Sequence, residues 1–259
     1  MDKENSLSIF DKTTDSMLRM LSDSGAMDMI FDRTKKMMWS MVEYKEMQMM
    51  YTSAIKEIKT KLDILDSEFK LKYRRNPIYS VTSRLKKTES VMEKMMRRGH
   101  PITLENIENY INDIAGVRVV CSYVDDVYFI ADALTSRDDI TLLVRKDYIE
   151  NPKANGYRSL HLIVSVPVYL SEVKKDVKVE IQIRTIAMDC WASLEHQMKY
   201  KKDIPDAEDI SAGLLSCAAD LAETDRQMLS LRRRIEMAED VPTEEDELLE
   251  RLSRIGLPL

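Results

Sequence analysis

The spacing of hydrophobic and polar positions changes period twice along the chain. From about 28 to 75, apolar residues recur every three or four positions without a glycine or proline, which predicts a long helix. Pro77 marks its end. Residues 84 to 98 predict a basic helix closed by Gly99-His100-Pro101, and Thr103-Leu-Glu-Asn106 predicts the cap of a short helix after it. The period then falls to two in "IAGVRVVCSY", "DITLLVRK", "LHLIVSVPVYL" and "VKVEIQIRT", while "VDDVYFIADALTS" between the first two reads as a helix. After Ile186 the helical period returns. Ala187, Trp191, Leu194 and Met198 form one stripe, and further helices are predicted at about 206–239 and 243–254. The pattern predicts an α+β fold: a mixed, mainly antiparallel sheet of about five strands flanked by helices, with N- and C-terminal helical extensions. Three segments are expected: a polar segment over 1–27, a domain over 28–200, and a C-terminal helical extension over 201–259.

One strand stands out chemically. Val177, Val179, Ile181 and Ile183 alternate with Lys178, Glu180, Gln182 and Arg184, so one face is apolar and the other bears charge and amide. A carboxylate, an amide and a guanidinium in a row are not needed to build a sheet.

Bulk composition narrows the options. The chain is 44% hydrophobic and 32% charged, as a globular protein with a real core requires. A net charge of -6 excludes a general nucleic-acid binder, so any nucleotide site must come from local basic clusters. Cys121, Cys190 and Cys217 form no C-x-x-C pair and read as reduced thiols of a cytoplasmic protein. The polar start and the lack of an 18-residue apolar run predict no signal peptide and no membrane span. Eleven of the 18 methionines fall in the first 50 residues, as flexible core filler or as an adaptable partner surface.

Several clusters could carry chemistry. At helical spacing Lys86, Ser90, Lys94 and Arg97 share one face, opposite Leu85, Thr88, Met92 and Met95. That basic face is a solvated surface or a cradle for a polyphosphate. In "NPKANGYRSLH", Asn155-Gly156 supplies a turn surrounded by Lys153, Tyr157, Arg158 and His161. Such a turn is an ordinary loop, or a place where a base stacks on tyrosine beside bound phosphates. If the strands bearing them pair, Asp113 and Glu180 reach one Mg²⁺; otherwise they are ordinary polar residues.

Taken in order, "SRLKKTES", "DIAGVRVVC", "NGYRSLH" and "VEIQIRTIAMDCW" resemble the motifs of RelA/SpoT-type alarmone synthetases, from about 55 to 200. The resemblance implies a nucleotidyltransferase-like synthetase fold. It also implies transfer of the pyrophosphate of ATP to the 3′-hydroxyl of GTP or GDP, with GMP a further candidate acceptor, as AMP leaves. By motif, Asp113 and Glu180 hold Mg²⁺, and Glu180 is the candidate general base. Arg84 and Arg118 clasp adenine, while Lys86, Ser90, Lys94 and Arg97 bind ATP phosphates. Tyr157 stacks on guanine; Lys146, Lys153 and His161 hold the acceptor's phosphates, and Gln182 supports the site between Glu180 and Arg184. The resemblance further implies a homotetramer with no membrane and no obligatory nucleic-acid partner.

Certain positions depart from that pattern. Ser83 replaces a common glycine, Lys146 a common arginine, Ser80 a common aromatic and Asp189 a common asparagine. The last two positions belong, by the resemblance, to an inter-subunit site for the alarmone, so a repelling Asp189 predicts weak activation by product. His100, His161 and His196 are never followed by aspartate, so no His-Asp hydrolase half is expected. The competing expectation is a catalytically inactive guanine-nucleotide-binding regulator on the same fold.

Overall fold

The computed structural model describes residues 24–73, 76–199 and 207–239. The expected helix at 243–254 and most of the polar N-terminal segment lie outside these residues. Helix α1 spans Ser24–Tyr73, and the chain divides within it into two units, residues 1–50 and 51–259. In the first unit Met47 and Met50 are buried, as core filler would be, while Met49 is exposed.

The second unit holds the remaining elements. They are β1 (Ile78–Leu85), α2 (Thr88–Arg97), α3 (Leu104–Tyr110), β2 (Ala115–Cys121) and α4 (Val124–Thr135). β3 (Thr141–Asp147), β4 (Leu160–Tyr169), β5 (Lys174–Thr185), α5 (Ile186–Lys199) and α6 (Ala207–Glu239) follow. The five strands form one sheet in the order β1-β2-β5-β4-β3, in which β2 and β5 are parallel and the other pairs antiparallel. The mixed, mainly antiparallel sheet is the one expected from the sequence.

Alternation decides which face is covered. Val177, Val179, Ile181 and Ile183 of β5, Val117 and Val119 of β2, and Leu160, Leu162 and Val164 of β4 are all buried. Each such side chain contributes about 1.5–3 kcal/mol by leaving water. Helix α4 packs on β2, β4 and β5 through Val127, Ile130, Ala131 and Leu134, at three- and four-residue spacing. Helix α6 lies against α4 and α5, anchored by Arg232, whose guanidinium donates to both carboxylate oxygens of Asp125 at 2.9 and 2.6 Å. Within the second unit, α1 buries Tyr51, Ala54, Ile55, Ile58, Leu62, Leu65 and Phe69 at helical spacing.

Two expectations need correction. The helix predicted from residue 84 begins at Thr88, because β1 pairs with β2 through Leu85↔Ala115. The ladder runs one step further, where the Lys86 amide donates to the Ile114 carbonyl at 2.8 Å. Strand pairing overrides the helical preference of Leu85-Lys86-Lys87, so Leu85 leaves the apolar face of α2. The α5 stripe also splits: Trp191 is buried, whereas Leu194 and Met198 are exposed. The expected cap is present, with Thr103 Oγ1 accepting from the Asn106 amide at 3.2 Å.

Candidate functional site

Register brings the polar face together. Along one row of the sheet Thr82 pairs with Arg118, Arg118 with Gln182, Gln182 with His161 and His161 with Lys146. In the neighbouring row Arg84 pairs with Gly116, and Gly116 with Glu180. The strands in question do pair: β2 and β5 lie side by side, in parallel, with Asp113 two residues ahead of β2.

Three clusters follow from this register. In the first, both oxygens of Asp113 are engaged: Lys86 Nζ donates to Oδ2 at 2.9 Å and Lys94 Nζ to Oδ1 at 2.8 Å. Lys86 sits in the loop two residues before α2, rather than on the helix as expected, yet still converges with Lys94. Burial pushes the Asp113 carboxyl up, but the two ammonium groups outweigh it and hold the group below the usual aspartate range. Two cations facing one anion leave a surplus positive charge. Ser90 is half-buried and Arg97 exposed on the same helix, and Asp113 takes its cations from Lys86 and Lys94 rather than from Arg97.

The second cluster is an open cleft of about 140 Å³ lined by Thr82, Ser83, Arg84, Gly116, Val117, Arg118, Glu180 and Gln182. Its two arginines come from adjacent strands. Arg84 lies over Gly116, where a Cβ would stand 3.4 Å from Arg84 Cγ, in ordinary contact. A slot between two guanidinium groups suits a planar, electron-rich ring.

The third cluster surrounds Tyr157. Its hydroxyl lies 2.9 Å from His161 Nε2 and accepts from Arg184 Nη2 at 3.0 Å. Lys153 Nζ stands 4.8 Å from the Tyr157 ring centre and 4.6 Å from that of Tyr148. Gly156, at φ +89°, makes the turn before the tyrosine, and Asn155 Nδ2 pins the loop to Glu195 of α5 at 3.0 Å. Burial raises the Tyr157 phenol above its ordinary value, so it stays a neutral ring. Lys146 is exposed on β3, opposite His161.

Glu180 belongs to the second and third clusters at once. It lines the arginine cleft, accepts from Gln182 Nε2 at 3.0 Å, and lies 3.5 Å from His161 Nδ1. Burial pushes its carboxyl up; His161 and Gln182 more than offset this and leave it below the usual glutamate range, against the repulsion of Asp113. It is thus ionised at neutral pH. No cluster of three or more His, Cys, Asp or Glu occurs among the described residues, so Asp113 and Glu180 do not form a self-sufficient metal cage.

Sequence reasoning passed over Tyr148 and the wider role of Arg184. Arg184, only 2% exposed, donates to Gln182 Oε1 at 2.6 Å and to Asp189 Oδ1 at 3.3 Å. Its membership of the polar row was visible, but its partners on other elements were not. Asp189 also stands 3.4 Å from Arg118, so its charge is compensated within the chain and is not a bare repelling carboxylate.

Residues 83–205 match the region found in RelA / SpoT proteins. The GTP pyrophosphokinase YwaC of Bacillus subtilis (strain 168) is 41% identical over 198 residues, 76% of this chain and 93% of that protein. Small alarmone synthetase 1 from Bacillus subtilis, solved bound to its product pppGpp, superposes with a TM-score of 0.68 at 36% identity, covering 75% of this chain and 98% of that one. The same synthetase solved bound to AMPCPP gives a TM-score of 0.63 at 33% identity, covering 75% and 98%.

Proposed function

This chain belongs to the RelA/SpoT family, and on that premise we propose that it is a small alarmone synthetase. It transfers the pyrophosphate of ATP to the 3′-hydroxyl of GTP or GDP, and AMP leaves. The observation that carries this reading is the double membership of Glu180, which lines the arginine cleft and is hydrogen-bonded into the Tyr157 cluster. A base placed there faces a donor on one side and an acceptor on the other.

The donor's adenine enters between Arg84 and Arg118, and its phosphates draw Lys86 and Lys94 from Asp113, with Ser90 and Arg97 further along. The acceptor's guanine stacks on Tyr157, and Lys153, His161 and Lys146 meet its phosphates. Asp113 and Glu180 fit a Mg²⁺ that arrives with the nucleotide, because that ion takes one or two carboxylates and completes its shell with phosphate oxygen and water. When bound, Mg²⁺ neutralises charge on the transferring group. Glu180 accepts the 3′-hydroxyl proton, while Gln182 and His161 hold its orientation. A carboxyl below its usual range is ionised but weakly basic, so positioning and charge neutralisation supply most of the acceleration.

Assembly and location follow the same reading. Ile186, Leu194 and Met198 on α5, and Met228, Leu231 and Ile235 on α6, are exposed apolar positions at helical spacing. They support a homotetramer, which a monomer mass in light scattering at micromolar concentration would refute. Among the described residues no helix is long and apolar enough to cross a membrane. With three free cysteines, this supports a cytoplasmic protein. The activity itself is tested by incubating the chain with ATP, GDP or GTP, and Mg²⁺. AMP and a pyrophosphorylated guanosine nucleotide are expected in equal amounts; binding of both nucleotides without turnover would leave only a regulator.

A further inference from the structure

We propose that Asp189 is a positioning residue that couples the donor and acceptor subsites through one carboxylate oxygen. The inference rests on the function proposed above. Asp189 lies in the first turn of α5, directly after β5. Its Oδ1 stands 3.4 Å from Arg118 Nη1 and 3.3 Å from Arg184 Nη1. Arg118 walls the arginine cleft. Arg184 holds the Tyr157 hydroxyl and the Gln182 amide oxygen, and Gln182 in turn holds Glu180. A single anion therefore joins a wall of the donor cleft to the acceptor's stacking ring and to the candidate base.

Charge explains why that anion matters. The two guanidinium groups converge, and Arg184 feels the repulsion of Arg118 on top of the cost of burial. Like charges brought together out of water are tolerable only with a carboxylate between them. The Nε atoms of both arginines are buried without a protein partner, so their terminal nitrogens set their orientation. Arg118 is 39% exposed in its side chain and Arg184 is 2% exposed. If the carboxylate is lost, Arg118 is the one free to swing toward water. Conversely, a donor base that fixes Arg118 fixes Asp189, and through Arg184 it fixes Tyr157 for the acceptor. Such coupling is reciprocal.

Calorimetry on the full chain, with Mg²⁺, AMPCPP and GDP, reads this without turnover. Saturating AMPCPP is expected to tighten GDP binding to the unmodified protein by about fivefold or more. Asp189→Asn should weaken AMPCPP and reduce the synergy below about twofold, and Asp189→Glu should restore part of it. Arg118→Lys, at a part-exposed position, should fold, weaken AMPCPP and lose the synergy even when AMPCPP is raised to saturation. Asp125→Asn, which breaks an Arg232 pair on α4, should lower the melting temperature and keep the synergy. Absence of synergy in the unmodified protein overturns the proposal. So does retention of full synergy by Asp189→Asn or Arg118→Lys, or an equal loss in Asp125→Asn. If the unmodified protein bound neither nucleotide, the functional reading itself would fall, and this inference with it.

Discussion

Replacing Lys94 by methionine removes one ammonium group from Asp113 and keeps most of the apolar stem. The lost contact is a charge-assisted hydrogen bond of 2.8 Å between side chains 19% and 16% exposed, so water screens it little. Such bonds contribute about 1.5–3 kcal/mol. Without nucleotide, Lys86 still balances Asp113, and the melting temperature should fall by no more than roughly 10 °C. On the proposed function Lys94 moves to a phosphate when ATP binds, and the variant then loses about 1.5–3 kcal/mol of donor binding. That corresponds to a rise of roughly 10- to 100-fold in the KM for ATP, since 1.4 kcal/mol is about one factor of ten. The KM for GDP should change little, because Lys94 and the Tyr157 cluster lie on different elements. Initial rates of AMP release, with each substrate varied at saturation of the other, separate the two. General destabilisation would reduce the active fraction and affect both substrates alike. An equal change in the two KM values, or none, would mean that the lysine pair only neutralises Asp113.

Glu180→Gln keeps a group that can accept from Gln182, so the fold should hold while kcat falls by about 10²-fold or more; near-normal rates in both this variant and Asp113→Asn would defeat the assignment. Gly156→Ala forces a side chain onto a positive φ and places its Cβ 2.6 Å from that of Ala218. It should destabilise by about 1–3 kcal/mol and raise the KM for GDP more than that for ATP, as thermal melts and steady-state kinetics can show. Burial raises the Asp225 carboxyl above the usual range despite its 2.7 Å bond from Thr185 Oγ1. A raised folded pKa gives stability that is complete below the unfolded value and lost as pH rises through the folded one. Asp225→Asn should therefore melt no lower than the unmodified protein at about pH 7.5 and lose that parity near about pH 4; an equal loss at both would refute the sign.

Much of this was legible because a strand states its faces in its own sequence. Val177 to Arg184 announced an apolar and a polar side, and both are where alternation puts them. The β1 strand "IYSVTSRL" was not delimited, since an edge strand with exposed Thr82, Ser83 and Arg84 lacks a clean alternation. Lys86 precedes the helix that begins at Thr88, yet it still meets Lys94 at Asp113, because a long side chain spans the two-residue difference between the helix its spacing suggests and the loop it occupies. Arg184 and Asp189 were harder. Their meaning depends on Arg118, Tyr157 and Gln182 converging from β2, a loop and β5, and no spacing rule spans such a set. Asp189 read alone was a repelling charge; between two arginines it is a neutralised one.

The claim that the polar face of β5 joins two nucleotides is tested most directly by following the phosphorus atoms. The chain is incubated with GDP, Mg²⁺ and ATP carrying a label in its β-phosphate, and the products are resolved by phosphorus NMR and mass spectrometry. Unlabelled AMP is expected, together with a guanosine nucleotide that carries the labelled β-phosphate attached to its 3′-oxygen. Label recovered as free phosphate or pyrophosphate, or on the 5′ chain of guanosine, would contradict that claim.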